Sequence, residues 1–234
     1  MMKDERYLEF QKKLTDEAIS LTHKNGYERL ASSIDAVTDW EGFQEIIAQI
    51  DATKWFDERN VLKEIEPSTP HRLGNADLLI SIGNQGVYCE VTSPISLQEM
   101  VTKELKNGNS VDSKVVKLLK KQPWMSETEA KHTIQNSKVV RNLLEKTRKQ
   151  LPKTYPGILV MNTSKSMISH FDVQQIAERL FPRRNQIILL MLWNLEHGSM
   201  IGTPPFIFLN SNSQFQKTGD DLLKYLCIQP IEII

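Results

Sequence analysis

Two uninterrupted apolar runs, Gly157-Ile158-Leu159-Val160-Met161-Asn162 and Gln186-Ile187-Ile188-Leu189-Leu190-Met191-Leu192-Trp193, constrain the fold more than any other feature of the chain. A strand with one wet face alternates apolar and polar residues, so runs of this kind belong to strands covered on both faces. Between them, Phe171 to Leu180 has helical spacing. Strand, helix and strand in that order predict a β-α-β unit with a right-handed crossover, whose parallel strands need helices above and below.

The remaining segments can supply those layers. Leu8, Phe10, Leu14, Ala18, Ile19 and Leu21 fit one core-facing helix, and Trp40, Phe43, Ile46, Ile47 and Ile50 fit a second. Asp39 is the expected cap of the second helix, with Glu41 and Glu45 in its first turns, where the helix dipole favours negative charge. Val61, Leu62 and Ile65 predict a short strand before Pro67 and Pro70. Helices are expected between Ser96 and Leu151, with breaks at Asn107-Gly108-Asn109 and Pro123 and a stop at Pro152 and Pro156. A strand from Pro205 to Leu209 and a helix around Asp220 to Leu226 would complete an α/β fold: a three-layer α/β/α sandwich with a central mixed sheet and N-terminal helices. No Pro/Gly/Ser-rich linker divides the 234 residues, so one domain over 1–234 is expected, with 1–38 as an N-terminal helical extension.

Bulk properties exclude several classes. With 29 basic and 29 acidic residues, the chain as a whole has no attraction for polyanions. The opening MMKDERYLEF is charged where a signal peptide needs an apolar core, and Ile187 to Trp193 is too short to cross a bilayer. A cytoplasmic location with no membrane partner is expected. Cys89 and Cys227 are expected to be buried apolar residues, and the five scattered histidines have no ligand spacing for zinc. Neither a P-loop nor a GxSxG motif is present, and Trp124 and Trp193 are expected to fill a core or groove.

The chemistry-bearing segment is the pair of β-rich runs Ala76 to Ile82 and Val87 to Ser93, separated by Gly83-Asn84-Gln85-Gly86. This is a hairpin signature. With Asn84-Gln85 as the loop, Ile82 faces Val87, Ile80 faces Cys89 and Leu78 faces Val91, which puts the apolar faces together. Asp77 then falls opposite Thr92 and diagonal to Glu90 on the other face. Two carboxylates converging there repel each other and are costly to desolvate, which points to a bound cation. Magnesium suits the donors, since it takes oxygen ligands and needs only one or two carboxylates beside water and phosphate. The same spacing also suits Asp77 and Glu90 on a solvated sheet face, or paired with nearby lysines.

Asn75-Ala76-Asp77, a strand, a turn and Tyr88-Cys89-Glu90-Val91-Thr92 resemble the D…(D/E)-X-K signature of the PD-(D/E)XK, or restriction-endonuclease-like, nuclease superfamily. The resemblance covers about Trp40 to Asn162 and implies a restriction-endonuclease-like fold and a nuclease. It implies that Asp77 and Glu90 hold Mg²⁺ (or Mn²⁺), with Glu45, or else Glu41, as a carboxylate from the preceding helix. It also implies nucleic acid as partner, DNA ahead of RNA, and a homodimer as one form of assembly. Thr92 departs from the pattern by standing where the motif has lysine. A threonine hydroxyl cannot supply the cation's electrostatic part in catalysis. Lys138 and Lys146 are the first candidates to replace it, with Lys103 and Lys106 behind them.

Charge is unevenly distributed: residues 1–66 hold nine Lys/Arg and fifteen Asp/Glu, and residues 101–155 hold thirteen and five. The basic segment after the hairpin could grip a phosphate backbone, or simply be a solvated helix face. The alternatives to a nuclease are an inactive nuclease-fold module that binds nucleic acid or a protein partner, and an α/β structural partner with surface carboxylates.

Overall fold

The computed structural model describes residues 5–70, 74–93, 111–162, 170–193 and 206–230. Its helices are α1 (Glu5–Ala18), α2 (Tyr27–Ala36), α3 (Trp40–Glu58), α4 (Val111–Lys121), α5 (Glu127–Gln150), α6 (His170–Leu180) and α7 (Gln216–Leu226). The strands β1 (Leu62–Ile65), β2 (Leu78–Ile82), β3 (Gln85–Thr92), β4 (Gly157–Asn162), β5 (Ile187–Trp193) and β6 (Phe206–Leu209) form one open sheet in sequence order. β3, β4 and β5 are parallel to one another, while β1, β2 and β6 pair antiparallel, so the sheet is mixed.

The two apolar runs are the parallel pair β4 and β5, and their side chains feed two cores. Ile158, Val160, Leu189 and Met191 join a cluster with residues of α1, α2, α3 and α7. Leu159, Met161, Leu190 and Leu192 join a second cluster with Val139, Val140 and Leu143 of α5 and Val173, Ile176 and Ala177 of α6. Helices therefore cover both faces of the sheet, as continuous apolar strands require. Among the described residues no helix is long and apolar enough to cross a membrane.

Several local expectations are met and others are corrected. Asp39 caps α3 by accepting from the Gly42 amide at 2.7 Å. In α1 the buried stripe is narrower than the spacing suggests: Leu14, Ala18 and Leu21 are buried, but Leu8 and Ile19 are exposed. A short 3₁₀ turn over Ile19–Leu21 tightens the backbone after α1 and takes Ile19 off the buried stripe. Cys89 is buried in β3, whereas Cys227 is exposed at the end of α7 with φ 54°, a position set by the helix stop rather than by burial. Trp124 is not a core residue; it is 80% exposed in the turn between α4 and α5. The side chain of Trp193, the break at Asn107-Gly108-Asn109 and Pro205 lie outside the described residues.

α2 is docked on β1 through backbone. The Ile65 amide donates to the Asn25 carbonyl at 2.8 Å, and Arg29 Nη2 donates to the Ile65 carbonyl at 3.0 Å. Gly26, at φ 88°, makes this approach possible: a Cβ there would lie 1.9 Å from the Ile65 oxygen.

Asp51 of α3 is buried among these helices, with Oδ2 lacking a hydrogen-bond partner. Burial first, then Glu17, raises its pKa to about 7, against the pull of Lys54. Because the folded value lies above the ordinary 3.8, its contribution to stability is full below pH 3.8 and lost as pH rises through about 7. Asp51→Asn is expected to stabilise the protein by on the order of 2–4 kcal/mol at pH 8 and hardly at all near pH 4. Thermal unfolding across that range checks this; an equal effect at both ends would show that charge is not the cause.

Candidate active site

Strand pairing in the hairpin is two residues away from the expected register. Leu78 faces Cys89, Ile80 faces Val87 and Ile82 faces Gln85, so the turn is Gly83-Asn84, with Gly83 at φ 56°. A slip of two keeps every side chain on its expected face, which is why the apolar faces still coincide. It changes which residues meet. Asp77, one residue ahead of β2, comes opposite Glu90 rather than Thr92, so the carboxylates are direct neighbours instead of diagonal ones. The Asp77 Oδ2 accepts from the Val91 amide at 2.6 Å, fixing that carboxylate against β3.

These two residues belong to the wall of a cavity of about 580 Å³. Glu45 and Gln49 of α3, Glu66 just after β1, and Lys146 and Gln150 of α5 complete its polar lining. Lys146 Nζ lies 3.4 Å from Glu45 Oε1 and 3.6 Å from Glu90 Oε1, so one ammonium reaches a carboxylate from each of two elements. The end of α5 is tied to the approach to Asp77 by Gln150 Nε2 donating to the Asn75 carbonyl at 3.2 Å.

Glu90 is the most strained of the group. It is fully buried, and neither carboxylate oxygen has a hydrogen-bond partner, its contact with Lys146 being an ion pair longer than a good hydrogen bond. Burial, with Asp77 next and Glu45 adding, drives its pKa well above the carboxylate range despite Lys146. Asp77 is pushed up to about 6, chiefly by burial; Lys146 and the Val91 amide oppose the shift, and Glu66 and Glu45 add to it. Burial alone would lower the pKa of Lys146, but Glu90, Glu45 and Asp77 outweigh it and hold the ammonium above its ordinary value. The cation therefore stays charged while the carboxylates compete for protons.

The donor set suits a hard divalent cation. Asp77 and Glu90 stand side by side, neither oxygen of Glu90 has a hydrogen bond, and an ion between the two would relieve both their repulsion and their desolvation. Among the described residues no group of three or more His, Cys, Asp and Glu side chains is placed to hold a metal, so the carboxylates set to share an ion are this pair. Two carboxylates with water and phosphate completing the shell is a magnesium arrangement rather than a zinc one.

Of the expected site residues, Asp77, Glu90, Lys146 and Glu45 come together in one cavity. Lys138 does not: it is on α5 eight positions before Lys146, roughly 12 Å along the helix, and is not part of the cavity wall. Thr92 is buried in β3 beyond Glu90, also away from that wall. The side chain of Glu41, and Lys103 and Lys106, lie outside the described residues.

Glu66 is a residue of this cavity that the sequence does not mark. Its Oε1 accepts from Ser33 Oγ at 3.2 Å and Gln49 Nε2 at 3.3 Å, and its amide donates to the Asp77 carbonyl at 2.7 Å. It achieves this at φ 49°, a left-handed conformation that costs a non-glycine residue roughly 1–3 kcal/mol and concentrates at functional sites. No sequence signal marks that backbone state.

Comparison of the chain with protein-family models, with curated proteins and with solved structures returns no match.

Proposed function

We propose that the chain is a metal-dependent nuclease with a restriction-endonuclease-like fold that hydrolyses phosphodiester bonds, DNA ahead of RNA, in the cytoplasm. The observation that carries this reading is the fully buried Glu90, with no hydrogen bond at either oxygen, beside Asp77 and ion-paired to Lys146 at 3.6 Å. A merely structural carboxylate buried like Glu90 would be expected to carry enough hydrogen bonds to satisfy it.

Asp77 and Glu90 would hold Mg²⁺ or Mn²⁺, which when bound lowers the pKa of water and neutralises charge on a phosphoryl oxygen. Lys146 supplies the cation that Thr92 cannot. Its ammonium, kept charged by three carboxylates, can orient an attacking water and offset negative charge on the phosphate in the transition state. Glu45 holds Lys146 at that place from the opposite helix, which makes it a positioning residue. The Val91 amide fixes Asp77, and Glu66 braces its backbone.

The test is cleavage of labelled single- and double-stranded DNA and RNA in Mg²⁺, Mn²⁺ or EDTA. Metal-dependent cutting is expected from the wild type. Lys146→Met should lower the rate about 100-fold or more while leaving Mg²⁺ binding, read by calorimetry, in place. No cutting under any condition would favour the inactive nuclease-fold module, the reading for which Thr92 speaks.

A further inference from the structure

A second cavity, of about 360 Å³, opens where the turn between α4 and α5 meets α6. Trp124 is among the residues that line it and is 80% exposed. Asn136 lies in its wall, 2% exposed, with Nδ2 donating to Asp172 Oδ1 at 2.9 Å and Oδ1 without any partner. The orientation of the amide is fixed by that bond, because the reversed amide would set its oxygen against a carboxylate. A buried acceptor of this kind costs roughly 1–3 kcal/mol unless a donor reaches it. The wall also carries Glu129 and His132.

A large exposed indole beside an orphaned buried acceptor describes a site for a flat ligand with a donor on its edge. Phosphate is disfavoured there by Glu129 and Asp172, and a purely apolar ligand would leave Asn136 unsatisfied. Resting on the nuclease reading above, we propose that this cavity receives an unpaired nucleobase, stacked on Trp124 with an exocyclic amino group donating to Asn136 Oδ1. Asn136 and Lys146 are ten residues apart on α5, about 15 Å along one rigid helix, so a single strand could place one base here while its backbone runs to the cavity holding Asp77 and Glu90. Arg141, exposed, lies between them in the sequence.

The experiment is fluorescence anisotropy of labelled single strands with the full chain in EDTA, comparing wild type, Trp124→Phe, Trp124→Ala and Asn136→Leu. Trp124→Ala is expected to weaken single-strand binding roughly tenfold, with Trp124→Phe keeping most of the affinity. The salt slope should not change in either, since no charge is removed. Asn136→Leu should erase a preference for cytosine or adenine strands over thymine strands. Trp124 is too exposed for its loss to unfold the chain, and the Trp124 series decides the matter if Asn136→Leu folds poorly. Equal affinity of wild type and Trp124→Ala for every single strand, with metal-dependent cleavage intact, would overturn the base pocket and leave the nuclease standing. If no nucleic acid binds, titration with free cytidine decides: quenching lost in Trp124→Phe would preserve the pocket without the nuclease, and no quenching would end both.

Discussion

The double variant Asp77→Asn, Glu90→Gln is expected to lose all metal-dependent cleavage and, in EDTA at pH 8, to unfold at a higher temperature than the wild type. Both effects come from the same burial. The wild-type cavity holds Glu45, Glu66, Asp77 and Glu90 against Lys146, and Glu90 has no hydrogen bond to offset its desolvation. Neutral amides of the same shape remove the repulsion and most of the desolvation cost, while Lys146 retains Glu45. Replacement of buried charges by well-fitting neutral groups gives roughly 1–4 kcal/mol, which for a chain of this size is about 2–4 °C per kcal/mol. Added Mg²⁺ should raise the melting temperature of the wild type and not of the variant. A variant that melts lower than the wild type in EDTA would show that the carboxylates are structural; retained cleavage would remove them from the chemistry.

Gly26→Ala is expected to destabilise the fold by about 3 kcal/mol or more, among the largest effects of any single methyl group in this chain. Two costs add. The residue sits at φ 88°, where an alanine is strained, and its Cβ would lie 1.9 Å from the Ile65 oxygen and 2.8 Å from its carbonyl carbon. Those atoms are backbone and cannot rotate away, so α2 must lift from β1 and the bond from the Ile65 amide to Asn25 must stretch. Glu66 follows Ile65 directly and takes Ser33 of α2 as a donor, so the displacement reaches the cavity. Chemical denaturation measures the loss. A change below 1 kcal/mol would mean that the close approach of Gly26 to Ile65 is not maintained in solution.

Much of this is legible in the sequence. The continuous runs at 157–162 and 186–193 predicted strands buried on both faces, and Phe171 to Leu180 predicted the helix between them, because full burial and helical period leave direct marks on composition. The carboxylate pair was legible for a similar reason: side chains two apart share a face, so Asp77 and Glu90 had to emerge together in any register of the same parity. Which residue each one faces depends on whether the turn is Gly83-Asn84 or Asn84-Gln85. The positive φ that a two-residue turn needs favours the pair that begins with glycine, and the expected register did not use that preference. The choice between Lys138 and Lys146 was out of reach, since both are lysines on one helix and only the packing of α5 against β3 selects between them. The exposure of Trp124 is not legible either, because tryptophan is usually buried and one residue in a turn carries no period to argue otherwise.

The way α4 is attached sets it apart from the rest. Among the described residues its buried contact is a satellite cluster of Val115 and Ala130, flanked by Leu118, Leu119, Met125 and Ile134, and it contributes to neither main core. Local opening free energy follows how much apolar surface an element shares with the whole, so α4 and the turn bearing Trp124 belong at the low end of the scale and α3, threaded through the larger core, at the high end. Amide hydrogen exchange would read this as rapid exchange in α4 beside near-global protection in α3. The platform around Trp124 can then adjust to what it meets while the carboxylates of the hairpin stay where the sheet holds them.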